Sequence, residues 1–338
     1  MKKKDLQHLL KKLNIQPSKK LGQNFLTDEN LLNFIYKTAA AKEDEFIIEI
    51  GSGLGVLTKL LVKSGADIIA IEYDARLAAY LKKAIQAPNL HLIHQDACKL
   101  DFNKIIPQNR DFRIIANLPY SISTPLIAKF INMPIPPKDM LFLLQKETAE
   151  RFAASAKTQE QTYSPKLQEK LQIQDPLLKT HNKNKLANNN EATNISRLDD
   201  QIYLRKFEHS SSYDKNNLTH KSYGSITAQV QNVYEIEYLR TVPPDVFFPK
   251  PIVQSAITKF TRKEIIPTLE ERKLLKTIVR TAFSKRRKKM INNLQPVLKN
   301  IDFKSVFDEL KIDQNTRAEN LTPSEYLALT RFLLYRKR

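Results

Sequence analysis

The sequence predicts a doubly wound α/β fold, a mostly parallel sheet with an antiparallel edge hairpin, followed by a small all-helical C-terminal domain. Three observations predict it. Strand-length apolar runs alternate with amphipathic helical patterns between Phe46 and Ala154, as βαβ units require. The first run, Phe46-Ile-Ile-Glu-Ile50, stops at glycines spaced Gly51-x-Gly53-x-Gly55, and a helical pattern follows at once. From Leu269 onward the pattern is helical, broken at Pro296 and Pro323.

Residues 1–20 are polar and lysine-rich, and a basic arm that is mobile or touches the anionic partner is expected. Thr27 and Asp28 suit the N-cap of a helix carrying Leu31, Leu32 and Ile35. The catalytic domain is expected to span 21–262. After the glycine turn, Val56, Leu57, Leu60 and Leu61 share a helical face that ends at Gly65. Ile68–Ile71 is the second strand and ends on Glu72; Asp74 caps the helix that follows, to Ile85. Strands follow at Leu90–His94, Phe112–Ala116 and Met140–Leu144, and a helix at Lys146–Ala154. Residues 158–219 then hold no glycine, many Asn, Gln and Lys, and no sustained period. Loops longer than about 15 residues are uncommon inside a domain, so a mobile, dispensable low-complexity insertion is expected there. The pattern resumes as a helix at Tyr223–Val233 and strands at Glu235–Val242 and Val253–Phe260, read as the edge hairpin. Residues 263–338 form the expected C-terminal helical domain.

Composition narrows the partners. The 338 residues carry 55 Lys plus Arg against 36 Asp plus Glu, a formal net charge of +19. Such an excess favours a polyanion, nucleic acid or an anionic surface. No apolar run reaches the roughly 18 residues of a membrane span, so no membrane partner is expected. The basic N-terminus has no apolar core behind it, and no signal peptide is expected. One cysteine, Cys98, fits a reducing cytoplasm. His91 and His94 near Cys98 make no convincing ligand set, so no metal is expected.

The glycine turn brings bare backbone close to a ligand at a helix N-terminus. Glu72, roughly twenty positions on at the tip of the next strand, suits the hydroxyls of a ribose. The dinucleotide fingerprint wants its third glycine where this chain has Val56. That points away from a pyrophosphate-bearing cofactor and toward S-adenosylmethionine; a tight turn binding nothing is the bland alternative. Asp96 could accept from the cofactor's adenine amine or merely cap a helix. Asn24 and Leu26 could fold over the cofactor as a lid or form a plain loop.

Asn117-Leu-Pro-Tyr120 follows the fourth strand. An exocyclic adenine amine is a poor nucleophile because its lone pair is delocalised into the ring. The Asn117 side-chain oxygen and the Leu118 carbonyl could accept hydrogen bonds from it and localise that pair. Pro119 holds Leu118 extended, and Tyr120 offers a face for an extruded base. An ordinary proline turn is the alternative. Phe247 and Phe248 are either a second stacking ring or core residues of the hairpin. Arg272, Lys273, Lys276 and Arg280 lie on one helical segment, followed by Ser284-Lys-Arg-Arg-Lys-Lys289. In so basic a chain, Arg280, Lys285, Arg286, Arg287 and Lys288 are the candidate phosphate contacts.

Together these motifs resemble the ribosomal RNA adenine dimethyltransferases: Leu21-Gly-Gln-Asn-Phe-Leu26, Glu49–Gly55, Asn117–Pro125, Leu144-Gln-Lys-Glu147, Pro249–Ala256 and Ala282–Lys288. The likeness covers residues 18–156 and 221–335, nearest to the branch acting on the small subunit. It implies a Rossmann-like S-adenosylmethionine-dependent methyltransferase that dimethylates two adjacent adenosines in a hairpin near the 3′ end of small-subunit rRNA. The implied cofactor residues are Asn24, Leu26, Gly51, Gly53, Glu72, Asp96 and Asn117; the implied target-base residues are Asn117, Leu118, Tyr120 and Phe247. A monomer acting on a 30S assembly intermediate in the cytoplasm is expected. The alternatives are a large-subunit enzyme conferring macrolide resistance, a non-catalytic assembly or transcription factor on the same fold, and a dehydrogenase.

Overall fold

The computed structural model describes residues 3–18, 21–108, 110–156 and 222–335. The segment expected to be a mobile insertion, 158–219, lies outside them. The chain on both sides is anchored, with Ala154 and Ala156 buried before it and Tyr223 buried after it.

Among the described residues, seven strands form the main sheet. They are β2 (Phe46–Ile50), β3 (Asp67–Glu72), β4 (Leu90–His94), β5 (Arg113–Asn117), β6 (Asp139–Gln145), β7 (Tyr234–Val242) and β9 (Ser255–Arg262). Their order is β4-β3-β2-β5-β6-β9-β7. The first five are parallel, and β9 inserts antiparallel between β6 and β7. The inner strands β2, β3, β5 and β6 are apolar runs because both faces are covered, whereas the edge strands β4 and β7 interleave polar residues. Ile48 and Ile50 belong to one core cluster, with Phe130 and Phe152 of the helices α5 (Tyr120–Phe130) and α6 (Lys146–Ala153). Ile47 points the other way, into a cluster with Leu31 and Ile35 of α2 (Glu29–Ala39). Residues alternate between the two faces, as the period of a strand demands.

From β2 the chain winds outward to β3 and β4, then returns to β5 on the other side. The switch point therefore lies between β2 and β5, where open α/β sheets bind their ligands. The helix after the glycine turn, α3 (Thr58–Val62), is shorter than the apolar pattern suggests. Gly51, Gly53 and Gly55 all adopt positive φ, so helical geometry cannot begin before the last of them. Gly55 also has no room for a side chain: a Cβ there would lie 2.6 Å from Leu81 and Ile85, at and beyond the end of α4 (Ala75–Ala84).

Three expectations need correction. The N-terminal arm is not loose. Residues Lys3–Lys12 form α1, and Leu6, Leu10 and the following Ile15 pack with Phe25, Leu54 and Leu77. Leu6 and Leu10 stand four apart, one above the other on one face, while the lysines occupy the rest. The link between the hairpin strands is also structured. Phe247–Phe248 form β8, which pairs antiparallel with β1 (Phe25–Leu26) as a separate two-stranded ribbon. Arg272, counted among the surface cations, is buried. Its guanidinium donates to the carbonyls of Ile131 and Met133, both at 2.8 Å, of Pro267 at 3.0 Å and of Pro134 at 3.2 Å.

Arg272 thereby ties the sheet domain's loop after α5 to the first C-terminal helix, α8 (Leu269–Ala282). That helix opens with a capping box: the Thr268 hydroxyl accepts from Glu271 N, and the Glu271 carboxylate accepts from Thr268 N. The last helix, α11 (Pro323–Tyr335), returns to it, and Arg331 pairs with the buried Glu271 at 2.7 Å. Between them lie α9 (Met290–Leu294) and α10 (Phe303–Glu309). Val279, Leu294, Phe307 and Leu329 share one apolar core with Tyr223 and Ala228, the latter in α7 (Ser225–Val230). No helix among the described residues is long and apolar enough to cross a membrane.

Candidate active site

Register places the site residues side by side. Ile50 pairs with Ile71 on one side and Ala116 on the other. The next residues along the three strands, Gly51, Glu72 and Asn117, therefore stand together at the carboxyl ends of β2, β3 and β5. They line a cleft of about 320 Å³ with Asn24, Leu26, Gly53, Asp96, Leu118 and Tyr120. Of the residues named from sequence for cofactor and target base, all but Phe247 meet there.

Glu72 is buried, and burial pushes its carboxyl above the ordinary value, against hydrogen bonds from the backbone amides beside it. Its two oxygens accept from Asp74 N and Gly53 N, each at 2.8 Å. A carboxylate has about four accepting positions, so Glu72 keeps capacity to accept from a ligand hydroxyl. Gly53 adopts positive φ, a conformation that favours glycine, and its N–H points at Glu72. The Asp74 carboxyl is held down to about 2 by the hydrogen bonds from Arg76. Asp96 accepts from Cys98 N at 2.9 Å with one oxygen and has the other to offer.

Asn117 resolves which way its amide faces. Its Nδ2 donates to the Asn24 carbonyl at 3.2 Å, so its oxygen is the atom left to accept. Asn24 in turn donates its own side-chain amide to the Gly22 carbonyl at 3.2 Å, fixing the loop that crosses the cleft. The Tyr120 hydroxyl shares a hydrogen bond of 2.7 Å with the Ser255 hydroxyl, which is wholly buried at the start of β9. This bond holds the ring at one angle. Burial raises the Tyr120 phenol above its usual value, so Tyr120 stays neutral and has no acid–base role at neutral pH.

Phe247 is corrected. It is 1% exposed, paired with Leu26 across the β1–β8 ribbon and packed among Leu26, Val242 and Ile257. Of the two alternatives for this residue, the structure has the core one, and Phe247 presents no ring to the cleft.

Three lining or supporting residues escaped notice in the sequence. Glu49, in the middle of β2, is fully buried, and burial raises its carboxyl to about 7 against the 2.6 Å hydrogen bond from Thr58. Leu6 reaches the cleft from α1. Ser255 anchors Tyr120. An acid inside an apolar strand was the one visible signal; the other two depend on tertiary placement.

Among the described residues, the lining includes Glu49, Glu72 and Asp96 but no Lys, Arg or His. A cleft of that character repels phosphates and accepts a ligand bearing hydroxyls, an amine and positive charge. S-adenosylmethionine is such a ligand, and when bound it supplies an activated methyl carbon on a cationic sulfur. Sheet, switch point and acidic cleft define the class: the protein is an S-adenosylmethionine-dependent methyltransferase with a Rossmann-like sheet and a C-terminal helical domain.

Comparison with known proteins narrows the class. The family model described as ribosomal RNA adenine dimethylase matches residues 14–171 and 215–334. A ribosomal RNA small subunit methyltransferase A of Clostridium acetobutylicum is 30% identical over 329 residues, 96% of this chain and 97% of its own length. A protein of the same name from Listeria welshimeri is 31% identical over 337 residues, 96% of this chain and 93% of its own. A dimethyladenosine transferase from Plasmodium falciparum shares the fold at a TM-score of 0.59 and 23% identity, covering 93% of this chain and 98% of that one. The chain belongs to the ribosomal RNA adenine dimethylase family. It is an S-adenosylmethionine-dependent ribosomal RNA adenine dimethyltransferase.

The basic candidates stand apart from the cleft, on the C-terminal helices. Arg280, Lys285, Arg286, Arg287 and Lys288 are all exposed. Arg286 has a structural duty as well: it donates to the Tyr223 carbonyl and lies 5.8 Å from the centre of the Phe283 ring. The turn carrying these cations is pinned from below by Asn293, whose amide donates to the carbonyls of Ala282 and Lys285.

Proposed function

We propose that the protein dimethylates the exocyclic amines of two adjacent adenosines in the hairpin near the 3′ end of small-subunit rRNA. It acts as a monomer on an assembling small subunit in the cytoplasm. The observation that carries this reading is the Asn117 amide: its nitrogen donates to the Asn24 carbonyl, which leaves its oxygen to accept from an incoming amine. The names of the bacterial relatives support the choice of subunit.

In this reading Glu72 holds the ribose, Asp96 the adenine amine of the cofactor, and the Gly51–Gly53 backbone closes around them. Asn24 and Leu26 cover the cofactor from the loop above. The extruded adenosine lies on Tyr120 and donates its two amine hydrogens to Asn117 Oδ1 and the Leu118 carbonyl. Those bonds rotate the nitrogen lone pair out of the ring and aim it at the methyl carbon. Arg280, Lys285, Arg287 and Lys288, with Arg286 beside them, hold the phosphates.

The test is to incubate the protein with labelled S-adenosylmethionine and unmethylated small-subunit particles, then map the label. Two methyl groups on each of two neighbouring adenosines in the 3′-terminal hairpin are expected. Label on a large-subunit adenosine instead, or on neither subunit, would overturn the assignment.

A further inference from the structure

We propose that Ile252, backed by Val253, is a wedge that fills the gap in the RNA base stack when the target adenosine leaves it. The inference rests on the RNA-methylating function proposed above and assigns a positioning residue to it. Ile252 is 101% exposed and Val253 is 43% exposed, whereas Pro251 before them and Ser255 after them are buried. Two branched apolar side chains thus stand in water on a loop whose ends are both fixed. The mount is tied to the active site itself. Ser255 holds the Tyr120 hydroxyl at 2.7 Å, and the Gln254 carbonyl accepts from Lys146 N at 3.0 Å. Three residues reach at most about 3.6 Å each, so the Ile252 backbone lies within about 11 Å of Ser255, at the edge of the site that would take the base.

A base drawn out of its stack leaves two apolar faces opposed across an empty step. RNA and DNA enzymes meet the cost of unstacking, and bending proteins exploit it, with an inserted apolar side chain. Ile252 has the required chemistry, the required exposure and a rigid base. Lys146, whose ammonium donates to the Gln254 side chain at 3.3 Å, gives the loop a positive charge to sit among phosphates, while Lys250 is paired with Asp245 at 2.6 Å and braces the loop. A loop meant for a protein partner would not need to be braced against the platform for the base.

The test uses the full chain and two kinds of unmethylated small-subunit particle: one with the native hairpin, one whose hairpin carries a mismatch beside the target. Ile252→Ala should leave the melting temperature unchanged. On native particles its kcat should fall about tenfold or more, the scale of one lost stacking contact, with KM nearly unchanged. Ile252→Leu should restore the rate, and the mismatched particle should bring Ile252→Ala back toward wild type, because an unpaired base costs least to extrude. Equal rates for Ile252→Ala and wild type on native particles would overturn the wedge. So would an equal loss on both particles, which would mark Ile252 as a contact to some other surface of the particle. If the wild type methylates neither particle, the RNA assignment fails and the wedge with it.

Discussion

Asn117 bonds the Asn24 carbonyl with its nitrogen, and in the proposed mechanism its oxygen accepts from the substrate amine. Asn117→Ala should lower the single-turnover methylation rate about 10²–10³-fold, the usual loss for one preorganised group. Affinity for the RNA particle, carried by many phosphate contacts, should barely change; near-normal turnover in this variant would remove Asn117 from the chemistry. Glu49 makes a prediction in pH. Its carboxyl sits at about 7 in the folded protein against 4.5 for the free group, so the folded state holds a proton that the unfolded chain has lost. Folding is therefore not penalised below the unfolded value, and stability declines as pH rises from about 4.5 to about 7. The full penalty, on the order of 3 kcal/mol, is present above that. Glu49→Gln should flatten the decline; thermal unfolding measured between pH 5 and pH 8 checks it. Glu49 is also where residue type alone misled: its apolar neighbours announced the strand, while nothing in the letters said that the acid within it is wholly buried.

Among the elements, legibility followed side-chain chemistry. Strands β2, β3, β5 and β6 were plain because apolar residues crowd them on both faces, and Asp28 and Asp74 were plain as caps, bonding the amides of Leu31 and Arg76. Helix α1 was hidden behind its lysines, since Leu6 and Leu10 gain meaning only once Leu54 and Leu77 are known to meet them. The ribbon β1–β8 was hidden by its length, two residues a strand. Arg272 was hidden because an arginine bonded to carbonyls and one bonded to water are the same letter. These cases yield two predictions. Leu10→Ala should cost about 2–4 kcal/mol in urea unfolding if α1 belongs to the fold; a loose arm would give no change. Arg272→Ala strands several buried carbonyls and should cost at least about 3 kcal/mol. Arg280→Ala, on the exposed face of the same helix, should stay within about 0.5 kcal/mol of wild type.

At the scale of the whole molecule, charge and chemistry are held apart. The cleft is acidic and apolar, while Arg280, Lys285, Arg286, Arg287 and Lys288 of a chain carrying +19 crowd one exposed stretch of the C-terminal helices. Neutralising Arg280, Arg287 and Lys288 together should weaken binding to particles and lower the slope of log affinity against log salt by about two, at roughly 0.7 per lost phosphate contact. Arg286 is left in place because it holds Tyr223. An unchanged slope would put the RNA on another face. The order of the strands has a consequence for how this protein is made. A ribosome delivers β6, then β7, and only afterwards β9, which must enter between them. Until then the outer edge of β6 stands unpaired, open to wrong partners, while the parallel half behind it is free to fold as it emerges. Ser255 arrives with β9. A nascent chain halted just short of it already owns the ends of β2, β3 and β5 but has nothing to hold the Tyr120 hydroxyl: in the proposed mechanism the seat for the methyl donor is complete before the seat for the base.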